Sequence, residues 1–249
     1  MRLGFRVGFV GVLATISSVV ASVVASLVAS LGASAHAGVV AGRLELPPPP
    51  ERAPVVAKGF LERAENPHAD PRRPNLAPYL VVVLEGEPAS AGAPAQVTWE
   101  LVGESFARPA IGVPVGAEVV IKNVTSFART LAAREDPKLI AGPLNPTGVR
   151  SFRPTQPAVY TIADKDAPHL RGTVVVVASR HVASVDDAGR FEFADVAEGS
   201  YKLRVFYANP LGGTAAWLPI SVDVAVGAKA GKTEVSAKLP PWGAAAGRK

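Results

Sequence analysis

The chain contains no cysteine, and its single methionine is Met1. Without a thiol there can be no disulfide, no thiolate nucleophile and no thiolate metal ligand. Lipoprotein-type attachment through a processed cysteine is excluded for the same reason. Histidine is scarce as well: His36, His68, His169 and His181 are the four in the chain. Charge of one sign is not concentrated anywhere. The 26 Lys and Arg against 21 Asp and Glu leave a formal +5, and Arg72-Arg73 is the one short basic cluster before the final Arg248-Lys249. A nucleic-acid surface needs a basic stripe interleaved with aromatics, and aromatics make up only 6% of this chain. No phosphate-binding loop, no G-x-G-x-x-G and no G-x-S-x-G elbow is present. No amphipathic helical pattern extends beyond about two turns.

What is present begins with a targeting pattern. Arg2 and Arg6 form a positive start, and no charged residue follows until Arg43. The apolar stretch Val7 to Leu31 leads to Ala35-His36-Ala37, an A-x-A signal that predicts cleavage between Ala37 and Gly38. An uncleaved anchor is the competing reading, since this stretch is long enough to span a bilayer, but Ser, Gly and Thr dilute it. Residues 1–37 are therefore expected to be a signal peptide and the mature protein to be periplasmic or secreted, not membrane-spanning after signal removal. Losing Arg2 and Arg6 lowers the formal charge from +5 to +3.

The remaining chain reads as all-β. Gly38–Leu46 alternates apolar and polar residues until the four prolines Pro47–Pro50 end it, because proline cannot donate to a sheet ladder. Glu51 to Pro78 is polar and proline-rich, an irregular excursion. Tyr79–Glu85 is a continuous apolar run, the pattern of a strand buried on both faces. Glu87 to Ala95 carries Pro88, Gly92 and Pro94 and marks a module boundary. Short strands at close spacing follow: Gln96 to Val102, an extended run with Val113, Val115, Ala117, Val119 and Ile121 on one face and ending at Asn123, then Val159–Ile162 and Gly172–Val177. Asp187-Ala188-Gly189 and Glu198-Gly199 are turns that bracket Arg190–Phe193 and introduce Ser200–Val205. Ile220 to Val226 and Thr233 to Leu239 complete the series, and residues 241–249 form a flexible tail. Phe191, Phe193, Tyr201, Phe206 and Tyr207 are expected in the core rather than on a sugar-stacking platform; Trp217 and Trp242 are less constrained.

Two family resemblances emerge from these residues. Gln96, Phe106, Pro109 and Val115–Asn123, with Ser151–Pro154, Ala158–Ile162 and Leu170–Val176 downstream, resemble the cupredoxin-like domains of bacterial proteins related to methylamine utilisation. The resemblance covers about 80 residues and implies a Greek-key β-sandwich. A blue-copper centre uses a Cys thiolate, two His and a weak axial Met. At the positions this resemblance assigns to the ligands stand Arg129, Ala163, Asp166 and Leu170, so a copper-free site is expected. Arg129 and Asp166 would be close enough in the family's geometry to form a partly exposed ion pair. Asp187-x-Gly189-x-Phe191 with Glu198-Gly199-x-Tyr201-x-Leu203 is similar to the closing half of carboxypeptidase regulatory-like domains, a transthyretin-like sandwich. Gly38–Leu46 and Tyr79–Glu85 resemble its opening half.

The expected architecture is therefore a discontinuous transthyretin-like sandwich, residues 38–94 and 178–240, with a cupredoxin-like domain, residues 95–177, inserted. No cofactor is expected. The function this implies is an exported non-catalytic binding or interaction protein with an unidentified protein or cell-envelope partner and no nucleic acid. Two alternatives stand beside it. One is metal handling or electron transfer through an unorthodox site, for which His169, Asp164 and Asp166 are the candidate ligands. The other is a carbohydrate- or cell-wall-binding module, which rests on fold analogy. Glu135-Asp136 and Asp186-Asp187 are sequence neighbours whose side chains diverge on an extended chain, so they do not read as a hydrolytic pair.

Overall fold

The computed structural model describes residues 38–47, 75–86, 96–140, 142–209, 215–227 and 231–240. Residues 1–37, the excursion through His68 and Arg72-Arg73, the stretch 87–95, Trp242 and residues 241–249 lie outside the described residues, and with them the expected signal peptide and tail. Among the described residues sixteen strands are formed. Before the middle of the chain come β1 (Gly38–Glu45) and β2 (Leu80–Glu85), the latter entered by a short 3-10 turn, Ala77–Tyr79. Then follow β3 (Gln96–Val102), β4 (Ser105–Phe106), β5 (Ala110–Pro114), β6 (Glu118–Asn123), β7 (Arg129–Ala133), β8 (Pro143–Leu144), β9 (Val149–Phe152), β10 (Ala158–Asp164) and β11 (Arg171–Val177). The chain closes with β12 (Val182–Ser184), β13 (Arg190–Val196), β14 (Gly199–Tyr207), β15 (Ala216–Val226) and β16 (Lys232–Lys238). The all-β class read from the sequence is the class observed.

Four sheets enclose two separate cores. The sheets β13-β1-β16 and β12-β2-β14-β15 cover a core of Leu44, Leu84, Phe191, Phe193, Tyr201 and Leu203 among others. We call this pair the outer sandwich, since its strands come from before and after the middle of the chain. The middle strands form β4-β3-β6-β9 and β5-β11-β10-β7-β8, which close over Trp99, Leu101, Ile121, Leu131, Ile162 and Leu170. Phe191, Phe193 and Tyr201 are buried in the outer core as expected. Phe206 is buried on the other face of its strand, and Tyr207, also expected in the core, is only half-buried against the outer core.

The continuous apolar runs have a direct physical cause. On β2, Leu80, Val82 and Leu84 face the outer core, while Val81 and Val83 face away from it into a third cluster with Val175, Val177 and Phe206. On β11, Val174 and Val176 face the middle core, and Val175 and Val177 turn to that same cluster. Each strand is thus buried on both faces, and the alternation that marks a half-exposed strand disappears. Arg108 fastens the same junction, since its Nη2 donates to the Val185 carbonyl at 2.8 Å and its own carbonyl accepts from Trp99 Nε1 at 2.7 Å. Burial lowers the affinity of the Arg108 guanidinium for its proton, and the nearby Asp187 carboxylate opposes that effect.

One stretch differs from its reading. The run Val113 to Asn123 is not a single extended element, because Gly116 adopts φ 80° and splits it into β5 and β6. A positive φ costs glycine nothing, so the chain turns there and crosses to the other sheet. Accordingly β5 pairs with β11 and β6 with β3.

The Asp187-Ala188-Gly189 turn is organised by its neighbour Asp186. Its Oδ1 accepts from the Ala188 and Arg190 amides at 2.9 and 2.7 Å, and its Oδ2 accepts from Arg190 Nε at 2.7 Å. The Arg190 amide bond, then the Arg190 side-chain bond, hold the carboxyl below its usual range. A depressed folded-state value stabilises the turn above the unfolded value of about 3.9 and releases it only as pH falls through the lower folded value. We expect the Ala188 and Arg190 amide resonances to shift with a midpoint below about 3.9 in an NMR pH titration. A midpoint above that value contradicts the bonding described.

Candidate functional site

The end of the middle sandwich where β6 stops and β7 starts carries Arg129, one of the residues singled out in the sequence. Asn123 ends β6 and is fully buried, which obliges its amide to find partners. Its Nδ2 donates to the Phe127 carbonyl at 2.8 Å and the Asn145 carbonyl at 3.1 Å. Its Oδ1 accepts from the Thr125 amide at 3.0 Å and the Thr125 hydroxyl at 2.7 Å. One side chain thus ties the 123–129 loop to the loop after β8.

Arg129 opens β7 and projects inward with Leu131 and Ala133. Asp164 ends β10 opposite Leu131, on the same inner face as Tyr160 and Ile162. Arg129 Nη1 lies 3.8 Å from Asp164 Oδ2, with side-chain exposures of 11% and 1%. Arg129 Nη2 also donates to the Gly103 carbonyl at 3.4 Å, while its Nε is buried with no partner among the described residues. The ion pair expected between Arg129 and Asp166 is therefore formed with Asp164 instead, and it is buried rather than partly exposed. The cause is strand parity. Asp166 lies on the exposed loop beyond β10, and its amide is held by Asp164 Oδ1 at 2.9 Å.

The four positions assigned to vacated ligands do not gather at one point. Arg129 and the fully buried Leu170 belong to the inner side, where the Leu170 carbonyl accepts from the Asp164 amide at 3.0 Å. Ala163 sits on the opposite face of β10, paired with Ala132 and Arg171, and Asp166 is outside. The alternative metal ligands disperse in the same way. Asp164 is committed to Arg129, whereas His169 is exposed and its Nε2 approaches Glu104 Oε2 at 3.4 Å. Among the described residues no group of three His, Cys, Asp or Glu is placed to hold a metal ion. Glu135 and Asp136 diverge as expected: Glu135 accepts from the Thr161 amide and hydroxyl, and Asp136 accepts from the Lys138 amide.

The sequence reading missed the apolar surface around this end. Phe127 is 66% exposed, Val149 59%, Val102 47% and Val124 42%. Register explains why they lie together. Leu101 pairs with Asn123 in β3 and β6, so the next residues, Val102 and Val124, are side by side on the outer face. Val149 pairs with Lys122 from the other side, and Phe127 follows three residues beyond Val124, its ring 5.9 Å from the Arg129 guanidinium carbon. A signal was available, since Val102 and Val124 break the polar phase of their strands, but it needs the pairing of β3 with β6 to be read. Trp99 was also passed over. It is buried in the middle core and stacked on Phe106 with ring centroids 3.8 Å apart.

No known family's sequence profile matches the chain, and no curated protein matches it. Solved structures do resemble part of it. A mutant amicyanin in its reduced state is 19% identical over 39% of this chain and 98% of its own, with a TM-score of 0.30. Amicyanin from Paracoccus versutus is 15% identical over 39% of this chain and 97% of its own, TM-score 0.30. The copper-containing nitrite reductase of Thermus scotoductus SA-01 is 22% identical over 36% of this chain and 25% of its own, TM-score 0.31.

Proposed function

We propose that this protein is an exported, non-catalytic binding protein of the periplasm or cell surface. In this reading the middle sandwich is a copper-free cupredoxin-like domain carried as an insertion in a transthyretin-like outer sandwich. Its loop end is the recognition surface, presenting Val102, Val124, Phe127 and Val149 to a protein of the cell envelope.

The observation that carries the reading is the convergence of these exposed apolar side chains on the loop end where Arg129, Asp164 and Leu170 stand. Large apolar residues gathered on an otherwise polar surface mark an interaction site. The Asn123 amide fixes the Phe127 carbonyl, so the backbone that presents this ring is tied down before binding, which lowers the ordering cost. Arg129 supports the same reading, because a guanidinium at a former imidazole position repels a metal cation.

Two measurements test this. Copper titration of the purified protein, followed by visible absorption and calorimetry, is expected to give no thiolate–copper band and no tight stoichiometric binding. Submicromolar binding abolished by His169→Ala would favour the metal-handling alternative and defeat this one. In the second measurement, in-cell cross-linking of the exported protein is expected to yield one adduct with an envelope protein. Val124→Asp with Phe127→Asp should abolish that adduct while leaving the thermal midpoint within a few degrees, since surface substitutions rarely exceed about 0.5 kcal/mol. An adduct that survives both substitutions places recognition elsewhere on the molecule.

A further inference from the structure

The outer face of β13-β1-β16 carries a second arrangement with no part in the reading above. A cleft of about 730 Å³ runs along β1 there, with Ala41 and Gly42 in its floor. Register sets out its walls in two rows. Arg43 lies opposite Arg190 on one side and Ser236 on the other. One alternation further along, Ala41 lies opposite Glu192 and Glu234. Ala41 is buried although it faces outward, because the longer side chains on either side overhang it.

Charge is segregated between these two rows rather than alternated across strands, with Asp186 beside Arg190 and Lys232 beside Glu234 also lining the cleft. Directly opposed like charges, as at Arg43 and Arg190, work against the sheet. Arg190 is relieved by Asp186 at 2.7 Å, but Arg43 makes no ion pair among the described residues and is exposed. Glu192 and Glu234 stand two strand spacings apart, about 10 Å, with only the methyl group of Ala41 between them. Glu234 has one loose contact to Lys232 at 3.6 Å, and Glu192 has no ion pair among the described residues. The cationic and anionic rows are two residues apart along β1, about 6.6 Å. An extended dipeptide separates its free ammonium from its carboxylate by about 7 Å. The spacing and the sign order therefore match that ligand.

We propose that this cleft binds a short peptide with both termini free. The dipeptide lies along β1, with its carboxylate taken by the Arg43 and Arg190 guanidinium groups and its ammonium held between Glu192 and Glu234. Ala41 leaves the space above the strand that the ligand backbone occupies, and the guanidinium–carboxylate pairing gives the site its direction.

The test is an NMR titration of the isotope-labelled full chain with three probes: alanyl-alanine, its N-acetyl form and its C-terminal amide. Alanyl-alanine is expected to perturb amides of β1, β13 and β16 and to leave the middle sandwich unchanged. Each cap should weaken binding about tenfold or more, the effect of losing one charge-assisted hydrogen bond. Arg43→Gln should reduce the preference for a free carboxylate, since Arg190 alone remains to take it, while keeping that for a free amine, and Glu192→Gln with Glu234→Gln should remove the preference for a free amine. All three positions are exposed, so an unchanged far-field amide spectrum verifies the fold of each variant. No perturbation on these strands, equal affinity for the three probes, or an Arg43→Gln variant whose preference for the free carboxylate is undiminished overturns the proposal. The recognition surface proposed for the middle sandwich is untouched by any of these results.

Discussion

Gly172→Ala is expected to destabilise the protein by about 3 kcal/mol, at the upper end of what overpacking a core costs. A methyl group there would come 2.6 Å from Trp99 Cη2 and 2.9 Å from Phe106 Cδ2. Neither ring can yield easily. Both are buried, they are stacked on each other, and the indole is pinned through Nε1 to the Arg108 carbonyl. Relief would require displacing β11, which pairs with both β10 and β5. The thermal midpoint should fall by roughly 10 °C, given about 2–4 °C per kcal/mol for a domain of this size, with a change in tryptophan emission. Gly227→Ala, where an added methyl meets nothing within 4 Å, is the control and should leave stability nearly unchanged. An equal effect at both positions would show that the Trp99 contact does not limit residue 172.

Asp164→Ala is expected to cost about 3 kcal/mol, because it leaves the Arg129 guanidinium almost buried without its carboxylate. The 3.8 Å separation is at the long end for an ion pair, so the attraction itself is modest. Most of the loss comes from the uncompensated cation that remains. Removing both charges separates the two contributions. Arg129→Met with Asp164→Leu should recover most of the stability, as apolar replacement of buried pairs commonly does. Arg129→Ala alone should again be costly, since it strands the carboxylate. Urea unfolding of the four proteins measures each loss and the recovery. A double variant no more stable than either single one would mean that the site depends on the charges themselves. Hydrogen exchange at 164–170 should rise in Asp164→Ala, because its Oδ1 also holds the Asp166 amide.

The difference between Asp166 and Asp164 shows where sequence reading runs out. On a strand the side-chain period is two, so a shift of one residue exchanges the inner face for the outer. Counting residues from a motif cannot settle that parity where the strand gives way to a loop. The pairing of Asp164 with Leu131 settles it at once. The apolar loop end was hidden for a related reason. Val102, Val124 and Val149 are separated in the chain, and the pairings of β6 with β3 and β9 bring them together. The break at Gly116 was likewise masked by five apolar residues that fit a single extended face.

Several features were fixed by composition and local pattern alone. The lack of thiols excludes a thiolate copper centre and cross-links in any fold, because the atoms are not there. The Asp187–Gly189 turn and the alternation of Phe191 and Phe193 express backbone sterics and side-chain periodicity, which act over a few residues. The runs at Tyr79–Glu85 and Gly172–Val177 announce burial on both faces. Only the tertiary structure decided what buries them: β2 and β11 lie in different sandwiches, and their second faces meet in one shared cluster. It also decided that Arg129 is neutralised by Asp164 and that Arg43 is left facing a cleft. Such outcomes depend on which distant strands pair and in what register, and that is set by the joint packing of both cores rather than by any single segment.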